Sequence, residues 1–199
     1  MNYISSTNNA ALMTQARESL KVKWGLAIGA WIVFMVLVNI GSETILWESE
    51  DGNRKTTLDI IGILINGPMS LGYAALILAL SRNQSPQFAQ LFGGFKRFGV
   101  ALGAFLLQVI FIILWLLLLI IPGIIAILRY SQTWYILVED ENIGPLDAIN
   151  KSKEMMRENK WKLFCLYWRF FGWFLLCFLT LGVGFIFFGP YVSVSLAEF

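Results

Sequence analysis

GVALGAFLLQVIFIILWLLLLIIPGIIAILRYSQTWYILV, residues 99–138, is an unbroken apolar stretch in which Arg129 is the sole charged residue. A helix needs about 20 residues to cross the hydrocarbon of a bilayer, so this stretch is long enough to cross twice. Its one strong punctuation is Pro122-Gly123. A helix begins easily at proline but does not run easily through it, because the ring removes a backbone donor and clashes with the preceding turn. The stretch therefore predicts a helical hairpin with almost no loop, its arms at about 99–121 and 122–138.

The same reading extends outward to spans at about 24–40, 58–80, 162–180 and a short one at 184–199. With 57% hydrophobic and 14% charged residues, the chain is far more apolar than an ordinary soluble domain. The expectation is an all-α polytopic membrane protein, a single membrane domain over 1–199 with about six transmembrane helices in three hairpins. Arg17, Lys21 and Lys23 precede the apolar run from Trp24 to Ile40. The polar lead is long and no convincing small-residue cleavage site follows, so the run reads as a retained start-transfer helix rather than a secretory signal. Cys165 and Cys177 sit too far apart on one helix to pair within it, and read as buried thiols.

Basic residues orient the spans. Arg17, Lys21, Lys23, Arg82, Lys96, Arg97, Lys151, Lys153, Arg157, Lys160 and Lys162, eleven of the fifteen Lys and Arg, fall on one side. The opposite loop, Gly41 to Asp59, holds Arg54 and Lys55 against five carboxylates. The positive-inside rule then places the N-terminus in the cytoplasm of a cell-membrane protein, with the C-terminus on the same side if the last span is complete. The basic segments read as amphipathic interfacial helices at about 8–23, 86–98 and 145–160. Phe88, Leu91, Phe92, Phe95 and Phe98 recur at helical spacing after Ser85 and Pro86, which suit the cap and first turn. The third helix has Pro145 at its start, Leu146, Ile149, Met155 and Met156 as its apolar side, and Asp147 and Lys151 at pairing distance. Three prolines, Pro68, Pro122 and Pro190, and the basic-aromatic steps Lys23-Trp24, Arg97-Phe98 and Lys160-Trp161 suggest three copies of one unit. Interfacial selection of the same anchors in unrelated hairpins would give the same pattern.

Leu114 to Ile124 followed by Arg129-Tyr130-Ser131, together with Gly67-Pro68, Gly72, Leu91-Phe92-Gly93-Gly94-Phe95, Ser152 to Met156 before Lys160, Gly172-Trp173 and Gly189-Pro190-Tyr191, resembles the bacterial membrane-protein family catalogued as domain of unknown function 975. The resemblance extends over roughly residues 60–195. It implies a helical integral membrane domain, distantly similar to the membrane portion of some glycerophosphodiester phosphodiesterases, in a family without a settled biochemical role. No catalytic residue carries over, and Glu158 stands where a small residue is expected.

The chain has no histidine, which removes the commonest general base and the commonest imidazole metal ligand together. No phosphate loop or closely spaced cysteine pair occurs. The carboxylates of 43–59 and Glu139-Asp140-Glu141 lack a ligand spacing for calcium or magnesium and read as solvated. No enzyme activity, cofactor, metal or nucleic-acid partner is expected.

Arginine inside a span costs about 2.5–3.5 kcal/mol on insertion scales and calls for a partner or water. Arg129 shares a helical face with Gln132 and Thr133, and Gln108 on the preceding arm reaches the same depth. These four form a candidate intramembrane polar site for an anionic headgroup or carboxylate; the competing reading is an arginine that snorkels to the interface. Arg169 fits snorkelling better. Trp161, Tyr167, Trp168, Phe170, Phe171 and Trp173 read as an interfacial belt and packing. Lys151, Lys153, Arg157, Lys160 and Lys162 form a candidate contact for anionic lipid or a protein partner. The leading expectation is a non-catalytic membrane adaptor, immunity or assembly module. The alternative is a small transporter or lipid-handling protein built around Arg129, possible as a homo-oligomer.

Overall fold

The computed structural model describes residues 8–21, 23–40, 60–82, 84–118, 120–179 and 184–198, all of which are helical or connect helices. The acidic loop Gly41 to Asp59 lies outside the described residues. In chain order the helices are α1 (Asn9–Leu20), α2 (Trp24–Ile40), α3 (Ile60–Ser81), a 3₁₀ segment (Phe88–Arg97), α4 (Phe98–Leu118), α5 (Ile120–Tyr130), α6 (Thr133–Glu139), α7 (Pro145–Leu179) and α8 (Gly184–Ala197). Among the described residues two apolar helices, Gly62–Ser81 and Phe88–Leu117, are long enough to cross a membrane, and α1 with α2 qualifies only as a pair bent by 99°. At 14 residues α8 is shorter than a full crossing.

α3 is the central helix. Its Pro68-containing stretch packs backbone to backbone against the 3₁₀ segment: a Cβ at Gly72 would lie 1.8 Å from the Leu91 carbonyl oxygen, and one at Gly94 would lie 2.0 Å from that of Pro68. Only glycine permits that approach. The expected α-helix over 86–98 is thus corrected to a 3₁₀ helix starting at Phe88, with Gln87 rather than Ser85 before it and the Gln87 N–H donating to Gln90 Oε1 at 3.3 Å. At three residues per turn the expected single apolar face divides. Leu91 and Gly94 turn inward, while Phe88, Phe92, Phe95 and Phe98 stay exposed.

α4 ends at Leu118 and α5 begins at Ile120, ahead of Pro122, which occupies the first turn of α5 where its missing donor costs nothing. Gly123 lets this arm close on α4, since a Cβ there would lie 2.4 Å from Leu116 Cδ2. The return arm, expected to be continuous over 122–138, is instead divided at Ser131-Gln132 into α5 and α6. A second correction concerns 145–160 and 162–180. These are one 35-residue helix, α7, about 52 Å long at ~1.5 Å per residue. Its buried residues Ala148, Ile149, Ser152, Met156, Asn159, Leu163, Leu166 and Phe170 recur every three or four positions across the junction, so one stripe holds both halves. Leu146, expected on the apolar side, is half exposed, and Cys165 is exposed where burial was expected; Cys177 is buried. Among the described residues the ion pair formed is Arg82 with Glu139, not Asp147 with Lys151.

The main core joins α1, α2, α3, α7 and α8 around Leu20, Ala27, Leu76, Leu80, Met156 and Leu163. At one end, Lys23 Nζ donates to the Gln84 carbonyl at 2.7 Å and Ser19 Oγ to the Ser81 carbonyl at 3.3 Å, with Arg82–Glu139 beside them. Of the basic residues assigned to one side by their loops, Lys23 and Arg82 therefore lie at the same end of α3.

Gly72→Ala and Gly94→Ala are each expected to lower stability by at least about 1–3 kcal/mol, because the obstructing atoms are backbone. Gly93, with nothing within 4 Å of its Cβ direction, should tolerate alanine to within about 0.5 kcal/mol. Thermal unfolding of the three variants in detergent tests the contrast.

Candidate functional site: a basic recess between α5 and α7

The break at Ser131-Gln132 leaves the last carbonyls of α5 without intrahelical donors. Gln108, buried on α4, donates from Nε2 to the Tyr130 carbonyl at 2.9 Å. Ser152 on α7 donates from Oγ to the Arg129 carbonyl at 2.7 Å, and Ser131 Oγ to the Leu128 carbonyl at 3.0 Å. The end of α5 is thereby fastened to both neighbours. Gln132 turns toward α8, donating from Nε2 to the Leu196 carbonyl at 3.3 Å, and Thr133 is fully buried with its Oγ1 unpartnered.

The four residues of the expected intramembrane site are thus separate in role. Gln108 satisfies the broken helix, Gln132 joins α6 to α8, and Thr133 lies inside. Arg129 faces α7, where Lys153, Arg157 and Lys160 recur at i, i+4 and i+7 on one face. These four cations line a recess of about 270 Å³ with Glu154 as the carboxylate in its wall. Sequence reading divided them between an intramembrane site and a cytoplasmic helix. The signal that joins them is Ser152, whose hydroxyl holds Arg129's own carbonyl.

Lys151 and Lys162, the other two basic residues of the expected contact, point away from the Lys153–Arg157–Lys160 face of α7 and do not line the recess. The Lys162 carbonyl accepts from Asn9 Nδ2 at 3.1 Å, fixing α1 against α7. Lys153 Nζ donates to Asn150 Oδ1 at 3.2 Å and lies 5.3 Å from the Phe111 ring centroid and 5.9 Å from that of Tyr130, within the range of cation–π attraction. Arg129, Tyr130 and Lys153 also border a second recess of about 530 Å³ with Phe111, Leu114 and Trp115. Charged and aromatic surfaces are continuous here. Partial burial, with Arg129 and Arg157 nearby, holds the Lys160 amine below the usual lysine range.

The remaining aromatic residues of α7 sort by face. Trp161, Phe164, Trp168, Phe171 and Phe174 stack in succession along the outside, centroids 5.5–6.4 Å apart. Phe170 points inward, edge-on to Phe188 and Tyr191. Among the described residues no group of three or more Asp, Glu or Cys converges as a metal site would require.

Residues 107–199 match the family model described as Protein of unknown function (DUF975), the family the sequence resembles. The matched stretch contains Arg129, Ser152 and the three α7 cations, and begins just before Gln108. Gly67-Pro68, Gly72 and the Leu91–Phe95 step precede it. No curated protein and no solved structure matches the chain.

Gln108→Leu leaves the buried Tyr130 carbonyl without its donor and is expected to cost about 1–3 kcal/mol. Ser152→Ala should cost less, since the carbonyl it holds belongs to Arg129, which is only partly buried. Unfolding midpoints of the two variants in one detergent check the order.

Proposed function

We propose that this chain is a non-catalytic multi-pass membrane module whose basic recess holds the anionic headgroup of a lipid. The observation that carries the reading is the convergence of Arg129, Lys153, Arg157 and Lys160 from two helices on one recess, with Glu154 the one carboxylate among the described residues that line it. Four cations held together repel one another, and an oxyanion relieves that repulsion while accepting charge-assisted hydrogen bonds. Arg129 and Arg157 supply planar donor forks suited to phosphate oxygens. The neighbouring Phe111, Leu114 and Trp115 would take the start of an acyl chain.

The surrounding architecture belongs to the same proposal: about six crossings of a bacterial cell membrane, N-terminus inside. It is supported by the outward apolar side chains of α4, with Leu117 84% exposed, and by Lys23 and Arg82 at the same end of α3. Gly62–Ser81 and Phe88–Leu117 are long and apolar enough to cross; the bent α1–α2 pair, α5–α6, α7 and α8 would supply the remainder as tilted or broken crossings. Role as an adaptor, immunity or assembly module requires nothing beyond lipid and partner contact. A second reading, a small lipid-handling protein or transporter, is favoured by the continuity of the basic and aromatic recesses through Arg129 and Lys153.

Native mass spectrometry of the detergent-purified chain with short-chain phosphatidylglycerol tests the proposal. Each of Arg129→Gln, Lys153→Gln, Arg157→Gln and Lys160→Gln should weaken binding by about 1 kcal/mol, roughly five-fold. Lys151→Gln and Lys162→Gln should change it little. Equal affinity for phosphatidylcholine, or equal loss from all six variants, sinks the recess as the binding site.

A pH dependence of opposite sign for binding and stability follows from Lys160. Its charged form is disfavoured in the folded chain, so that penalty is full at low pH and is relieved as pH rises through the lowered pKa toward the ordinary lysine value. Over this window phosphatidylglycerol affinity should fall while the unfolding midpoint rises. Arg157→Gln should move the window up in pH.

A further inference from the structure

We infer a second ligand site, between α1, α7 and α8, for a single-chain amphiphile with an anionic head. It uses none of the recess residues above. The Arg17 guanidinium of α1 lies 5.5 Å from the Trp173 ring centroid and 5.7 Å from that of Tyr191. The Tyr191 hydroxyl donates to the Met13 carbonyl at 3.3 Å, which fixes that ring against α1. Arg169 stands one helical turn before Trp173 on α7.

Two cavities meet on these residues. One, of about 240 Å³, is lined by Arg17 and Arg169 with Met13, Thr14, Trp173 and Tyr191. The other, of about 330 Å³, shares Arg17, Trp173 and Tyr191, and its remaining wall includes Trp24, Cys177, Phe187 and Phe188. Among the described residues no carboxylate lines either one. Two guanidiniums facing one space without an acid are suited to an oxyanion, which each can grip with two donors.

The second cavity dictates the rest of the ligand. Beyond Arg17 its walls are aromatic, with Cys177 and Gly184 between the rings, so it favours hydrocarbon. At about 330 Å³ it sits near the lower end of the ~300–1,000 Å³ range of small-molecule sites. That volume suits one acyl chain and not two. Apolar depth joined to a basic mouth therefore points to a fatty-acid or lysophosphatidate type of molecule, with its carboxylate or phosphate on Arg17 and Arg169. Two of the walls are indoles, so occupancy can be read optically.

The full chain in phosphatidylcholine nanodiscs should show tryptophan quenching by a bromododecanoate, saturable and reversed by unlabelled dodecanoate. Arg17→Gln combined with Arg169→Gln should raise the half-saturating concentration at least ten-fold, and Arg17→Lys should raise it less. Cys177→Phe, which fills the apolar cavity and keeps both arginines, should abolish saturation. Lysophosphatidate competing more strongly than dodecanoate would assign the head as phosphate, and the reverse order as carboxylate. Equal quenching in the wild type and the double arginine variant, or equal competition by neutral dodecanol, overturns the site. Thermal midpoints of the variants identify a failed fold, and in that event the Arg17→Lys comparison alone decides: an unchanged half-saturation overturns the site.

Discussion

The hydrogen bonds made to the last carbonyls of α5 fix the arrangement on which the basic recess depends. A helix that ends inside a membrane protein cannot leave its carbonyls to water, and here donors come from two other helices: Gln108 of α4 to Tyr130, and Ser152 of α7 to Arg129. Both bonds are short in geometry and long in sequence. They set the rotation of α5 about its axis and the height of α7 beside it. Arg129 faces Lys153 and Arg157 as a consequence, rather than through any attraction among like charges.

α7 shows the same economy over a longer distance. Its buried stripe from Ala148 to Phe170 supports one continuous helix, so residues that carry the basic face and residues that carry the aromatic face are rigidly coupled. The three cations at i, i+4 and i+7 lie off that stripe, toward α5. The stacked outer rings from Trp161 to Phe174 lie off it on another side, with Trp161 74% exposed. Outward aromatic side chains in such number are what a lipid or protein surround accommodates and water does not.

The α3–3₁₀ contact supplies the other fixed point. Gly72 and Gly94 bring two backbones together, and the segment that follows is directed into α4 from there. The 3₁₀ winding follows from the need to keep Leu91 and Gly94 on the same edge. Its cost is a poorer hydrogen-bond geometry over ten residues, offset by the close packing against α3.

Composition and patterning by themselves determined that this chain is helical, and that its hairpin turns close to Pro122, because hydrophobic length and proline chemistry act locally. They also marked every cation of the recess as a residue needing explanation. The family resemblance was legible in the same way, from short runs of residues, over the stretch now matched. Tertiary structure alone decided which of the marked residues meet. Gln108 and Arg129 share a depth in the sequence reading, yet the amide is consumed by a carbonyl exposed when the helix breaks at Ser131-Gln132, and no local pattern announces that break. Leu91 and Phe92 both belong to the expected apolar face, yet the close approach of α3 covers Leu91 and leaves Phe92 exposed. Lys153 and Arg129 sit on segments that hydropathy assigns to different environments; the stripe that makes α7 one helix brings them to the same recess.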